Sequence, residues 1–272
     1  MEAIEQLEEL LLIKKQEFGT NSDEFTETCR QLCEICNILA VFYLKKDDVK
    51  SALDLLKKSE VLCENNELGK AMTYNNLACY YRRIGKLKTA LKYLEQALSI
   101  EGRLSKVDTQ ADTHLNICAV LSQLNKHELA LNHAMSAVIL LQEDLMSKTI
   151  DGEDSQDKPK EKPKRGPDGK EKDPSKDRVG VLAIAYHNMG VEQEFLRSYH
   201  AAILSYKKAF NYAMKNLGPE DGITENLKNV YENARKELDP SFKKSSQKQD
   251  DLQMIHSENP PTGAIMSKSS PF

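Results

Sequence analysis

No proline occurs in the first 158 residues, and all nine prolines stand at Pro159 or later. Proline cannot continue a helix interior, so so long a proline-free stretch leaves helices uninterrupted. The same stretch is rich in Leu, Ala, Lys and Glu, the strong helix formers, and shows no alternating strand pattern. The chain of 272 residues is therefore expected to be all-α, with room for a large core or an elongated array.

Periodicity turns the helices into hairpins. In TYNNLACYYRRIGKLKTALKYLEQAL, Tyr74, Leu77, Ala78 and Tyr81 share one helical face. Gly85 breaks the run, and Leu87, Ala90, Leu91, Leu94, Ala97 and Leu98 form a second face. The pattern returns as Cys36, Leu39, Ala40 and Tyr43 with Ala52, Leu56 and Ser59. It recurs as His114, Ile117, Cys118 and Leu121 with Ala130, Ala134 and Ala137, and as Tyr186, Met189, Gly190 and Gln193 with Ala202, Tyr206 and Ala209. A fifth first helix carries Leu227, Val230, Tyr231 and Ala234, and Ile4 to Phe18 reads as a second helix without its partner. Four hairpins flanked by half units predict an α-solenoid of antiparallel helical hairpins, each burying its apolar faces on its neighbours.

The order aromatic, Leu, small, Tyr, then Gly, then Ala, aromatic, Ala resembles the tetratricopeptide repeat, from about Glu24 to Leu238 with one interruption. The long spacing, and the turn NLGPEDGITENL with its echo EFGTNSDEFTET, resemble the kinesin-light-chain-like branch. Cys36 and His114 depart from the usual aromatic, and no tryptophan is present. The expected layout is an N-terminal capping helix at 1–22, repeats one to three at 23–149, a charged disordered insert at 150–178, repeat four with a C-terminal capping helix at 179–238, and a disordered tail at 239–272. Between Ile150 and Val179 the chain has four prolines and no aliphatic or aromatic side chain, so it cannot offset its chain entropy. Its block KPKEKPKR can meet an acidic surface such as a tubulin tail; a solvated loop is the plainer reading.

Two adjacent asparagines inside a helix point to the working surface. At about 100° per residue, Asn76 lies roughly 150° from the buried face of its helix. First helices line the concave wall of a solenoid, so Asn76 is expected to face the groove. Asn116, Asn188 and Asn229 hold the equivalent place in later units, and Ile38 holds it in the first. A row of side-chain amides complements an extended peptide backbone, and the resemblance implies groove asparagines used this way. The other reading is that each asparagine bonds to a neighbouring repeat. Asn75 is included with the candidate partner-binding residues, as are Lys45, Arg82 and Arg83, which make one end of the groove basic. Val41, Cys79, Ala119 and Val191 give a small apolar floor, and Glu194, Glu225 and Glu232 make the far end acidic. The Lys and Asn pattern of carboxylate-clamp tetratricopeptide domains is absent.

Nothing points to catalysis. No phosphate loop, GxGxxG or nucleophile elbow occurs. Cys29, Cys33 and Cys36 lack the second close pair that a zinc site needs and read as core residues. A net charge of −4 shows no strong field for nucleic acid or membrane. The N-terminus is acidic before it is basic, the wrong order for a secretory signal, so a cytoplasmic protein is expected. The chain is thus expected to be a non-catalytic, cofactor-free adaptor holding an extended peptide or helix of a partner protein. The alternative is a structural component of a cytoskeletal assembly such as a ciliary axoneme. No small-molecule substrate, membrane or nucleic-acid partner is expected.

Overall fold

The computed structural model describes residues 2–104, 109–153 and 174–238, and the described residues form ten helices and no strand. After α1 (Glu2–Phe18) come four hairpins: α2 (Asp23–Lys45) with α3 (Val49–Leu62), α4 (Glu67–Arg83) with α5 (Leu87–Glu101), α6 (Gln110–Gln123) with α7 (His127–Glu153), and α8 (Pro174–Phe195) with α9 (Tyr199–Asn216). Helix α10 (Gly222–Leu238) closes the described part and packs on α9.

Each hairpin turn is built the same way. The residues at the bend, Asp47, Gly85, Asn125 and Arg197, all have φ between 57° and 76°. In each turn the next backbone N–H reaches back over the last turn of the first helix: Asp48 to Tyr43 O, Lys86 to Tyr81 O, Lys126 to Leu121 O and Ser198 to Gln193 O. This satisfies the carbonyls a helix end leaves open. Gly, Asn and Asp tolerate the left-handed region; Arg197 adopts it against its steric preference. The side chains of Ser22, Asp48 and Asn66 cap the starts of α2, α3 and α4.

Small residues set the close approaches. Ala40, Ala52, Ala90, Ala97, Ala130, Ala137, Ala202 and Ala209 are fully buried. In the fourth hairpin Gly190 faces Tyr206, whose ring would lie 2.6 Å from a Cβ at that position. The equivalent pair in the second hairpin is Ala78 and Leu94, both buried, so the smaller residue on one helix answers the larger one on the other. Tyr74 and Tyr81 enclose Tyr93, which stacks on Tyr81 with centroids 5.4 Å apart. Cys33, Cys36, Cys63 and Cys118 are buried, Cys29 and Cys79 are partly exposed, and all six are free thiols. No group of three or more metal-ligating side chains is found among the described residues. None of the helices is long and apolar enough to cross a membrane.

The helices run further into the charged segment than composition implies: α7 continues to Glu153 and α8 starts at Pro174. Proline at a helix start lacks only an N–H that would be unpaired there anyway. One turn on, Arg178 spans two earlier helices, donating to Asp112 at 3.0 Å and to Asp144 at 3.4 Å. The expected insert at 150–178 therefore contributes helix at both its ends. Its middle, residues 154–173, and the tail at 239–272 lie outside the described residues.

Candidate partner-binding groove

Consecutive first helices touch one another directly, α2 with α4, α4 with α6 and α6 with α8. They form the inner wall of the solenoid. Near the C-terminal ends of α2 and α4 this wall holds a cleft of about 560 Å³. Lys45, Asn76, Arg82 and Arg83 line it, with Val41 and Cys79 as apolar floor. Four of the eight residues singled out from sequence thus meet around one cavity. Arg83 donates to Asp47 at 2.8 Å on the exposed rim, and no acidic side chain lines the cavity itself.

Three of the candidate asparagines, Asn75, Asn76 and Asn116, also join repeats. The Asn76 amide donates to Asn37 Oδ1 at 2.8 Å, and the Asn116 amide donates to Asn75 Oδ1 at 3.2 Å. Each bond runs from one unit to the preceding unit. Asn37 is buried, and its amide donates to Thr73 Oγ1 at 2.9 Å, Ser59 Oγ at 3.0 Å and the Cys33 carbonyl at 3.0 Å. Asn75 repeats this arrangement by donating to Thr113 Oγ1. Thr113 donates to Glu101 Oε1 at 3.0 Å, as does Thr109 at 2.7 Å. Burial pushes the Glu101 carboxyl above its ordinary range, although both threonine bonds favour the charged form.

The staple therefore needs an Asn in one unit and a Thr-x-x-Asn in the next: Asn37 with Thr73 and Asn76, then Asn75 with Thr113 and Asn116. At the boundary between units three and four, the corresponding residues are Leu115 and Ala185, and the two pack in one apolar cluster. Asn188 consequently has no asparagine to meet, and no hydrogen bond involves it among the described residues. Asn229, on the last helix, is exposed. The eight candidates divide into a rim of three cations, three stapling asparagines of which Asn76 also lines the cleft, and two asparagines outside the staple.

Sequence reasoning did not single out two further polar pairs. Buried Glu192 meets His127 at 2.8 Å across units three and four, and His127 stacks on Phe195. His114 and His133 bring their Nδ1 atoms to 2.9 Å inside the third hairpin. Burial, and then the neighbouring His133, depress His114 to about 4. The signal for this pair was the aromatic position of the repeat, where His114 replaces tyrosine.

Residues 32–100, which hold most of the first two hairpins, match the tetratricopeptide repeat family model. The match covers the first two hairpins, and the later hairpins repeat the same architecture, so the chain is similar to tetratricopeptide-repeat solenoids. Among solved structures, BtubC (BKLC) from P. vanneervenii superposes with a TM-score of 0.61 at 18% identity, over 98% of this chain and 97% of that one. A Rap protein complexed with Competence and Sporulation Factor gives 0.55 at 15% identity, over 94% of this chain and 62% of that one. A signal-transduction ATPase with numerous domains and a tetratricopeptide repeat sensor, from Pyrococcus horikoshii, gives 0.53 at 15% identity, over 92% of this chain. This chain spans 35% of that ATPase, so the likeness there is to a part. Curated protein sequences give no significant match.

Proposed function

We propose that the chain is a non-catalytic protein-interaction scaffold that holds an extended, acidic segment of a partner protein along its first helices. The observation that carries this reading is the cleft between α2 and α4, where Lys45, Arg82 and Arg83 surround Asn76 over an apolar floor. Three cations, of which Arg83 also pairs with Asp47 on the rim, surround a cavity lined by no acidic side chain and favour carboxylates, and an amide oxygen there can accept from a peptide N–H. Asn76 gives one amide N–H to Asn37, and no hydrogen bond to its side-chain oxygen is found among the described residues. Asn188 and Asn229 extend the polar row, with Glu194, Glu225 and Glu232 placing opposite charge at the far end. A bound segment accordingly lies with acidic residues at the second unit and basic or apolar ones at the fourth. A solenoid of the same fold in the Rap protein was solved with a factor bound, which supports reading the fold as a binding platform.

A role as a built-in component of a cytoskeletal assembly, with tubulin or a ciliary complex as neighbour, makes a different demand. It places the contacts on the outer helices, the charged segment or the tail. Affinity capture with cross-linking mass spectrometry separates the two, using wild type and an Arg82→Glu/Arg83→Glu variant of unchanged helicity. Loss of partners cross-linked to α2, α4 and α6 supports the groove. Retention of the same partners, cross-linked to outer helices, assigns the chain to an assembly.

A further inference from the structure

A second cleft lies away from the groove side of α2 and α4. It measures about 880 Å³ and lies between the first half of α9 and the last half of α10. Tyr199, Leu204, Tyr231 and Leu238 give it apolar walls, Arg197 and Lys207 give it charge, and no acidic side chain lines it. Tyr199 and Leu204 are 42% and 46% exposed, high for large apolar side chains that face a cavity.

Its place in the fold explains why it is open. Every earlier first helix carries a second helix: α3 on α2, α5 on α4, α7 on α6 and α9 on α8. Among the described residues, α10 packs on α9 and carries no second helix. The cleft is the seat such an element would take. One backbone feature adds to this. Arg197 holds φ of 59° where its sister turns use Asp47, Gly85 and Asn125. Arg197 thus lines the cleft from a left-handed position that arginine adopts only at a steric cost.

We propose that the chain's own tail occupies this cleft through residues 250–255, DDLQMI. Leu238 is both a wall of the cleft and the last residue of α10, so the sequence beyond the helix starts at the cleft. Asp250 stands 12 residues further on. For a random coil, 12 residues correspond to a root-mean-square span of about 20 Å and an effective concentration that is roughly millimolar. In residues 239–272, only at Asp250 and Asp251 do paired carboxylates adjoin an apolar cluster, here Leu252, Met254 and Ile255. The acidic pair meets Arg197 and Lys207, and the apolar residues cover Tyr199, Leu204 and Tyr231. The contact completes the open end of the solenoid and leaves the concave groove untouched.

A photo-reactive amino acid at position 254 of the full chain tests this, with cross-links mapped by mass spectrometry at two protein concentrations. The expected adducts are within one molecule, fall on 197–207 and 231–238, and keep the same yield at both concentrations. An Asp250→Lys/Asp251→Lys variant should lower that yield about three- to tenfold, as expected for losing two partly exposed charge pairs. Adding Lys207→Glu should restore part of it. Adducts between two molecules would assign the cleft to a second copy instead. Adducts scattered over the surface, or a yield indifferent to the charge reversal, would equally overturn the proposal.

Discussion

The side-chain amide of Asn76 donates to the side-chain oxygen Oδ1 of Asn37 at 2.8 Å, across the boundary between the first two hairpins. Behind it, Asn37 is 1% exposed and binds Ser59, Thr73 and the Cys33 carbonyl. The same two-residue link joins Asn116 to Asn75 one unit later. Asn37, Asn75, Asn76 and Asn116 therefore hold the first three repeats in register, whereas Asn188 and Asn229 take no part in such a link among the described residues.

That division predicts a gradient of stability effects. Asn37→Ala strands buried partners and should cost about 2–3 kcal/mol, whereas Asn76→Ala should cost roughly 1 kcal/mol. Asn188→Ala breaks no hydrogen bond and should stay within about 0.5 kcal/mol of wild type. Urea denaturation of the three variants gives the comparison. Equal losses at Asn76 and Asn188 would remove the distinction between stapling and free asparagines.

Gly190 and Tyr206 supply a packing test. A methyl group at position 190 meets the Tyr206 ring at 2.6 to 3.1 Å. Gly190→Ala should therefore destabilise by about 1–3 kcal/mol. Combining it with Tyr206→Leu recreates the Ala78 and Leu94 pairing of the second hairpin and should cost less than the sum of the two single changes. Strict additivity in thermal denaturation would argue against the contact.

Backbone strain at Arg197 predicts the opposite sign. Arg197→Gly relieves a left-handed conformation and should raise stability by about 1 kcal/mol. The same change at Lys45, which lies within α2, should destabilise by a similar amount. Melting temperatures of the two variants would show both directions.

The third hairpin should be acid-sensitive. His114 sits beside His133 and is held to about 4 by burial first and by that neighbour second. His133 and His187 are also lowered by burial. A histidine depressed in the folded chain takes up its proton more readily when unfolded, so stability falls as pH drops from about 6.5 toward 4. Burial raises Glu101, whose titration runs the other way and offsets part of this slope. His114→Phe should flatten the fall between pH 6.5 and 4 when melting temperature is followed against pH. An unaltered slope would place the sensitivity elsewhere.

The hairpins were legible because their signals are local. Leu77, Ala78, Ala90 and Ala97 announce their faces by spacing within one unit, and Gly85 marks its own turn. The staple is different in kind. Asn37, Thr73 and Asn76 are separated by a whole repeat, and only an aligned pair of helices shows that they meet. The clue was present as Thr three residues before Asn in units two and three, and as its joint loss at Leu115 and Ala185. The ends of the charged segment were hidden for a related reason. Composition reads Arg178 as one more solvated charge, whereas its partners Asp112 and Asp144 stand on α6 and α7. At the cleft, helical spacing puts Arg83 in line with Asn76 on α4, whereas Lys45 joins them from α2 and Arg82 from the neighbouring position on α4.

The groove itself is tested most directly by selecting a random 12-residue peptide library, displayed on phage, against the full chain and against its Arg82→Glu/Arg83→Glu variant. The account predicts that wild type enriches sequences carrying Asp or Glu toward one end. It also predicts that the charge-reversed variant loses them while keeping its fold by circular dichroism. Enrichment of the same sequences by both proteins, or of sequences without acidic residues by wild type, would contradict it.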